Sequence, residues 1–104
     1  METYTDEQVS FQLILHSGNA RSNIIQSIRA YKDGRTDESD TFLTKAEEEL
    51  GKAHDIHFQM IQKKPAAPRR MSLLFMHAED HLMSALSMKE LVKEMLDLFQ
   101  SKNL

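Results

Sequence analysis

The chain has 104 residues, of which 40% are hydrophobic and 28% charged, and its formal net charge is −3. This length suits one domain, and the composition argues against disorder and against the basic excess typical of nucleic-acid binding. The absence of cysteine excludes disulfides, thiolate catalysis and cysteine-ligated metal centres. No apolar run approaches the ~20 residues that span a membrane, and the polar, acidic start is unlike a signal peptide, so we predict a cytoplasmic protein.

Two interruptions divide the chain. With only three glycines and two prolines in all, the sequence favours a few long helices over many short strands. At Asp33-Gly34 the glycine suits the position that follows a helix end, and Thr36 then offers an N-cap. Residues 63–70 combine two prolines with four cations, which is typical of an exposed linker.

The runs between these interruptions have helical periodicity. They cover residues 7–32, 37–62 and 71–101. We therefore predict an all-α fold, a single domain over residues 1–104, in which three helices joined by short connections form an antiparallel bundle.

Each predicted helix has a stripe of apolar or small residues at three- and four-residue spacing, and we expect these stripes to pack. The first stripe comprises Phe11, Ile14, Gly18, Arg21, Ile25 and Ile28. The second comprises Leu43, Ala46, Leu50, Ala53, His57 and Met60. The third comprises Leu73, Leu74, His77, His81, Met88, Val92, Met95 and Phe99.

The third helix is apolar on two sides. Phe75, Leu82 and Leu86 point roughly opposite to the stripe that contains His77. A helix that is apolar nearly all round is expected to be buried nearly all round, which three helices of one chain do not readily provide. The pattern therefore predicts a homo-oligomer with this helix at its centre.

A polar cluster interrupts the third stripe. His77 and His81 are four residues apart and stack on one face, Asp80 lies at its edge and Ser84 continues it, whereas Glu79 points to the opposite side. A buried carboxylate is costly unless it is paired or bound to a cation. If Asp80 faces an oligomer axis, a cation or protonation would relieve the repulsion between copies.

Three interpretations of this cluster are open from the residues alone. The histidines are packing residues with satisfied hydrogen bonds, or His77, Asp80 and His81 are metal ligands, or His77 is a nucleophile that carries a phosphoryl group. A metalloprotease helix is excluded because Ala78 follows the first histidine. Since the chain has no glycine-rich nucleotide loop, we expect a phosphoryl donor to be another phosphoprotein, and the cations of residues 63–70 would attract anions.

Two other polar features each have two interpretations. The patch formed by residues 16–21 either packs between helices or lines the cleft of His77. His54 and His57 either form a second site or pack. The glutamates at positions 47–49 are most simply solvated surface.

The segment 73–83, followed by Lys89, Glu90 and Leu91, resembles the signature of the lactose/cellobiose-type enzyme IIA component of the bacterial phosphoenolpyruvate-dependent sugar phosphotransferase system. Residues 17–22 look like the first-helix motif of this family, and Ala53, His54, Gln59 and residues 61–62 look like the end of its second helix. The resemblance covers nearly the whole chain, in order and at matching lengths.

The resemblance implies a homotrimer, a nine-helix bundle, with His77 phosphorylated through Nε2 as a tele-phosphohistidine. Asp80 would face the trimer axis, where three copies share a divalent cation such as Mg²⁺. His81 would be an accessory residue that supports the phosphoryl group. No nucleotide cofactor is implied.

The partners implied are the histidine-containing phosphocarrier protein as donor and the enzyme IIB component as acceptor. The membrane is involved only indirectly, through the permease, and no nucleic acid takes part. The sugar would be a β-linked disaccharide of the lactose, cellobiose or chitobiose class. The alternatives are a metal-binding helical protein that uses His77, Asp80 and His81, and a regulatory homologue without turnover.

One departure from the family pattern concerns Glu79, which stands where the family usually has Gln. Because this residue points away from His77, we expect little effect of the difference on transfer. The partly apolar face that Glu79 joins makes an effect on packing the alternative.

Overall fold

The computed structural model describes residues 5–62 and 72–104, which form three α-helices and no strand. The helices are α1 (Asp6–Lys32), α2 (Thr36–Gln62) and α3 (Leu73–Ser101). The predicted all-α class with three helices is confirmed. The predicted linker at residues 63–70 and the predicted helix start at residue 71 lie outside the described residues. Among the helices described, none is long and apolar enough to cross a membrane.

The connection from α1 to α2 is a tight reversal built on Gly34. The N–H of Gly34 donates to the carbonyl of Tyr31 at 3.0 Å, and the N–H of Arg35 donates to the carbonyl of Ala30 at 2.8 Å. This is the Schellman pattern, which needs a left-handed residue just after the helix. Gly34 has φ 81°, so the predicted glycine stop is confirmed, and α2 returns antiparallel to α1.

Side-chain caps fix where α1 and α3 begin. Thr5 and Gln8 form a reciprocal capping box, with hydrogen bonds of 3.1 and 2.9 Å. At the start of α3, the hydroxyl of Ser72 accepts from the backbone N–H of Phe75 at 3.0 Å. Such a cap satisfies a backbone donor that has no partner within the helix. The capped turn at Ser72 leads directly into the segment that contains His77.

The helix α1 lies between the other two. It contacts α2 and α3 along its length, whereas α2 and α3 touch each other at few points. Six alanines are fully buried, and they let the helix backbones approach closely. They are Ala20, Ala30, Ala46, Ala53, Ala78 and Ala85. The buried hydroxyl of Ser27 donates to the carbonyl of Ser39 at 2.9 Å, so this polar contact between α1 and α2 is satisfied. The bundle extends over 56 × 22 × 18 Å.

The stripe of α2 is buried as predicted, but the stripe of α1 is not. In α2, His57 is half-buried and the other members of the stripe are buried. In α1, Phe11 and Ile25 are exposed, and the core is formed by the neighbouring face of the helix. That face comprises Val9, Ser10, Leu13, Ser17, Ala20, Ile24, Ser27 and Ala30. It is rich in small residues, which permit close helix approach but give a weak apolar signal.

The helix α3 buries the face opposite to His77. Its buried residues are Phe75, Ala78, Leu82, Ala85, Val92 and Leu96. The predicted packing of the His77 stripe is confirmed only for its later part. Val92 is buried, and Met88 and Phe99 pack against the core, whereas His77 is exposed and Leu73 is 84% exposed. Leu91 and Leu98 on the outer side are also more than half exposed. The outer side of α3, which carries Leu73, Leu91 and Leu98, thus has no cover from its own chain.

Substitution of two glycines by alanine tests this fold. Gly51 is an exposed residue inside α2, and a Cβ added there meets nothing within 4 Å. We expect Gly51→Ala to raise the free energy of unfolding by about 0.5–1 kcal/mol, because alanine favours the helix. Gly34→Ala should lower it by about 1–2 kcal/mol, since its φ is left-handed. Urea unfolding at one protein concentration measures both. A destabilising Gly51→Ala would contradict the open surface seen here.

Candidate functional site

His77 and His81 form a contact pair near the start of α3. Their Nε2 atoms are 3.1 Å apart, and their rings meet edge to face, with centroids 4.5 Å apart and an interplanar angle of 88°. His77 is exposed and His81 is half-buried. The structure therefore brings together the two histidines that the four-residue spacing predicts on one face.

The contact between the two rings restricts their protonation. A hydrogen bond between two Nε2 atoms requires one ring to donate its N–H and the other to accept with its lone pair. When His81 donates, neutral His77 carries its proton on Nδ1 and keeps a lone pair on Nε2. In this tautomer the lone pair on Nε2 of His77 accepts the hydrogen bond from His81, so that contact must break before Nε2 can attack an electrophile.

Asp80 and Ser84 lie on the outer side of α3 and are exposed. In residues 5–62 and 72–104, Asp80 makes no hydrogen bond or ion pair. Nor does any group of three or more His, Asp or Glu side chains in this part of the chain have an arrangement that could hold a metal ion. The three-ligand site of the metal-binding alternative is therefore not assembled within one chain.

Glu79 points away from His77, and it meets α2. Its carboxylate accepts a hydrogen bond from Nε2 of His57 at 2.8 Å, and the ring of His57 stacks on Phe75 at 6.2 Å between centroids. This pair is not predicted from the sequence. The sequence places His57 on the packed stripe of α2 and places Glu79 on the side of α3 opposite to His77. Which residue of α2 meets Glu79 depends on the register of the two helices, which the sequence pattern does not give.

His54 and His57 have different partners. His54 is exposed and stacks on Phe58, with ring centroids 6.2 Å apart, whereas His57 binds Glu79. A shared second site is therefore not formed by these two side chains.

The patch on α1 packs in part against α2. Nδ1 of His16 lies 2.6 Å from a carboxylate oxygen of Glu49, and the amide of Asn19 donates to the same oxygen at 3.5 Å. Ser17 is buried and its hydroxyl has no hydrogen-bond partner among the described residues, while Gly18 is exposed. Packing is thus the role of His16. The expectation that Glu49 is solvated is wrong, because this residue is half-buried against α1.

The pKa of the Glu49 carboxyl lies below its ordinary value of 4.5. The hydrogen bond from His16 is the main cause, and the amide of Asn19 and the charge of Lys52 act in the same direction, while burial opposes them. Hydrogen bonds to the ionised form favour that form.

These features define an all-helical bundle whose outer surface presents a histidine pair suited to chemistry on an imidazole nitrogen. Residues 8–100 match the model of the family described as PTS system, Lactose/Cellobiose specific IIA subunit. The chain belongs to this family, so the resemblance found in the sequence is confirmed. It is a IIA component of a sugar phosphotransferase system, in the transferase class.

Named relatives are similar over almost the whole chain. The oligo-beta-mannoside-specific EIIA component of Bacillus subtilis (strain 168) is 71% identical over 101 residues, which cover 96% of this chain and 92% of that protein. The crystal structure of the cellobiose-specific enzyme IIA from Bacillus anthracis has a TM-score of 0.87 and 39% identity, and the match covers 98% of this chain and 94% of that one. IIA(Chitobiose) of Escherichia coli, solved in solution with HPr, has a TM-score of 0.85 and 25% identity, covering 98% and 100%.

The Glu49 interaction predicts a pH dependence of stability. Because the folded-state pKa is lowered, the contribution of Glu49 is present above its unfolded pKa and is lost as the pH falls through the folded value. We expect Glu49→Gln to cost about 1 kcal/mol at pH 5, less than a fully buried charged hydrogen bond, and the difference from wild type to shrink as the pH falls below 4.5. Urea unfolding at several pH values measures it. Exposed Glu48→Gln is the control, and a difference that stays constant as the pH is lowered below 4.5 would contradict the assignment.

Proposed function

We propose that this chain accepts a phosphoryl group on Nε2 of His77 from HPr, the histidine-containing phosphocarrier protein, and passes it to the cognate enzyme IIB. The observation that carries the proposal is the exposed imidazole of His77, whose Nε2 contacts Nε2 of His81 at 3.1 Å. Exposure is required because two different proteins must reach the same nitrogen in turn.

The chemistry needs few groups from this chain. The lone pair on Nε2 of His77 attacks phosphorus, the bond from phosphorus to the donor's histidine nitrogen breaks, and that nitrogen keeps the electron pair. The N–H of His81, released from its contact with His77, can then donate to a phosphoryl oxygen. Transfer to enzyme IIB reverses these steps, with the acceptor's nucleophile as the attacking group. This makes His81 an accessory residue and requires no nucleotide.

The relatives support the donor and the sugar class that we propose. The similarity to IIA(Chitobiose), solved as a complex with HPr, supports HPr as the donor. The sugar class is β-linked, as in the lactose, cellobiose and chitobiose systems, and the similarity to an oligo-beta-mannoside component adds β-mannosides to this class. The sugar itself is recognised by the permease, so this cytoplasmic chain meets the membrane only through its partners.

The assembly we propose is a homotrimer, a nine-helix bundle with α3 at the centre. Leu73, Leu91 and Leu98 are all more than half exposed on the outer side of α3. Exposed apolar side chains in a row along one helix favour burial against another copy. A closed ring of three identical contacts would cover this side on every protomer.

The cation we propose, Mg²⁺, would be held by Asp80 at the trimer axis. A carboxylate oxygen suits this hard cation, which keeps several water ligands. Among the described residues of one chain, no group of three or more His, Asp or Glu side chains could hold the ion by itself. Three copies of Asp80 and water would fit the ion, and its charge would offset the repulsion between the carboxylates.

The phosphorylation assay tests the function. With phosphoenolpyruvate, enzyme I and HPr, we expect one acid-labile phosphoryl group per chain of wild type and less than about 1% of this in His77→Ala, because the nucleophile is lost. His54→Ala, which removes another exposed histidine, is the matched control and should label fully. Full labelling of His77→Ala would show that the phosphoryl group is carried elsewhere.

Metal analysis after native purification tests the cation and the assembly together. We expect one divalent cation per three chains in wild type, none in Asp80→Leu, and an unchanged trimer mass by light scattering in both, because leucine removes the repulsion as well as the ligand. Asp55→Leu, at an exposed position of α2, is the control. One transition metal per chain that depends on His77 and His81 would instead support the metal-binding alternative.

A further inference from the structure

The helices α2 and α3 are joined directly at few points, because α1 lies between them. In the described part of the chain, polar contacts cross from α2 to α3 at two places where both partners are known. One is the hydrogen bond of 2.8 Å between His57 and Glu79, and the other is the longer ion pair of 3.8 Å between Lys93 and Glu47. The first lies beside the segment that contains His77, and the second lies several turns further along α3.

The contact at His57 is partly withdrawn from solvent. The side chain of His57 is 15% exposed and that of Glu79 is 31% exposed, whereas Lys93 is 54% exposed. A hydrogen bond to a carboxylate is strengthened when water competes less for either partner. The His57–Glu79 contact is therefore the stronger of the two links between these helices.

His57 contacts α3 on both sides of His77 in the sequence. Its ring stacks on Phe75, two residues before His77, with an interplanar angle of 19°, and its Nε2 binds Glu79, two residues after. Phe75 and Glu79 are neighbours on the helix surface because they are four residues apart. One side chain of α2 thus holds the turn of α3 that presents His77 on its opposite side.

We propose that His57 and Glu79 are positioning residues for His77. They fix the rotation of the first turns of α3 about the helix axis. This rotation determines the direction in which the imidazole of His77 points from the surface of the bundle. Neither residue touches the reacting nitrogen. The proposal rests on the phosphocarrier function proposed above, and it adds residues on the far side of the helix to that site.

The direction of the His77 imidazole matters because phosphoryl transfer depends on the alignment of the reacting atoms. The attacking nitrogen, phosphorus and the leaving nitrogen must lie close to one line, and a displacement of about 1 Å can slow an enzyme step up to about 100-fold. Within one chain, the contacts that hold the first turns of α3 come from the inner side, since the outer side lacks cover from its own chain. His57 is the side chain of α2 that reaches this turn through both a ring contact and a hydrogen bond.

The test compares transfer rates from phosphorylated HPr to His77 in His57→Ala, Glu79→Ala, the double variant and Glu79→Gln. We expect each alanine variant to be slower by about fivefold, the factor for one ordinary hydrogen bond, and the double variant to be no slower than the worse single one. Glu79→Gln keeps an acceptor for His57 and should stay within about twofold of wild type. Lys93→Ala, which breaks the other α2–α3 contact, is the matched control and should transfer normally.

A second measurement separates positioning from general loss of structure. The imidazole nitrogen resonances of His77 and His81 should shift in both alanine variants and stay unchanged in Lys93→Ala, with equal helicity and oligomer mass in all proteins. If Glu79→Ala unfolds, Glu79→Met replaces it, since methionine keeps the length of the side chain without the hydrogen-bond acceptor.

Two results would overturn the proposal. One is wild-type transfer and unchanged His77 resonances in the alanine variants, and the other is a double variant whose slowing is the product of the single effects. Failure of the phosphocarrier function is a separate result, because wild type itself would then take no label. In that case the resonances alone decide whether His57 and Glu79 orient His77.

Discussion

The close packing of α1 against both other helices is the constraint on which the rest of this structure depends. Small residues such as Ser17, Ala20 and Ser27 let the backbones approach, and they are fully buried. The cost is visible at Ser17, whose buried hydroxyl has no partner among the described residues. Because α1 occupies the middle, α2 and α3 are held apart, and the side of α3 that faces away from α1 is left outside.

The polar contacts of α2 follow from this arrangement. On one edge, α2 meets α1 through Glu49 and His16, and on the other it meets α3 through His57 and Glu79. Both are histidine–carboxylate hydrogen bonds between partly buried side chains, so α2 is tied to its neighbours by directional contacts as well as by apolar packing. Directional contacts fix rotation about a helix axis, which apolar packing of small residues fixes less strictly.

Local features of this fold could be predicted from the sequence, and features that depend on register could not. Gly34 ends α1 through its own left-handed backbone conformation. The end of this helix could therefore be predicted from the presence of one glycine. The core face of α1 was missed because Ser17 and Ser27 do not score as apolar, although they pack in the interior. His77 and His81 share one helix, and their spacing sufficed to pair them. Glu79 and His57 lie on different helices, and no local pattern gives the register between them.

The position of His77 around α3 is compatible with both proposals, the phosphocarrier role of this residue and the trimer with α3 at its centre. Counted at about 100° per residue, Leu73, Asp80 and Leu91 fall on nearly one line along α3, and His77 lies roughly 50° from that line. A trimer that buries the line would bring the three Asp80 carboxylates to its axis and leave His77 at the rim, where HPr and enzyme IIB can reach it. In the proposed trimer, rotation of α3 would set this rim position. A contact on the inner side of the helix, such as that between His57 and Glu79, would then act directly on the surface that the proposed partners meet.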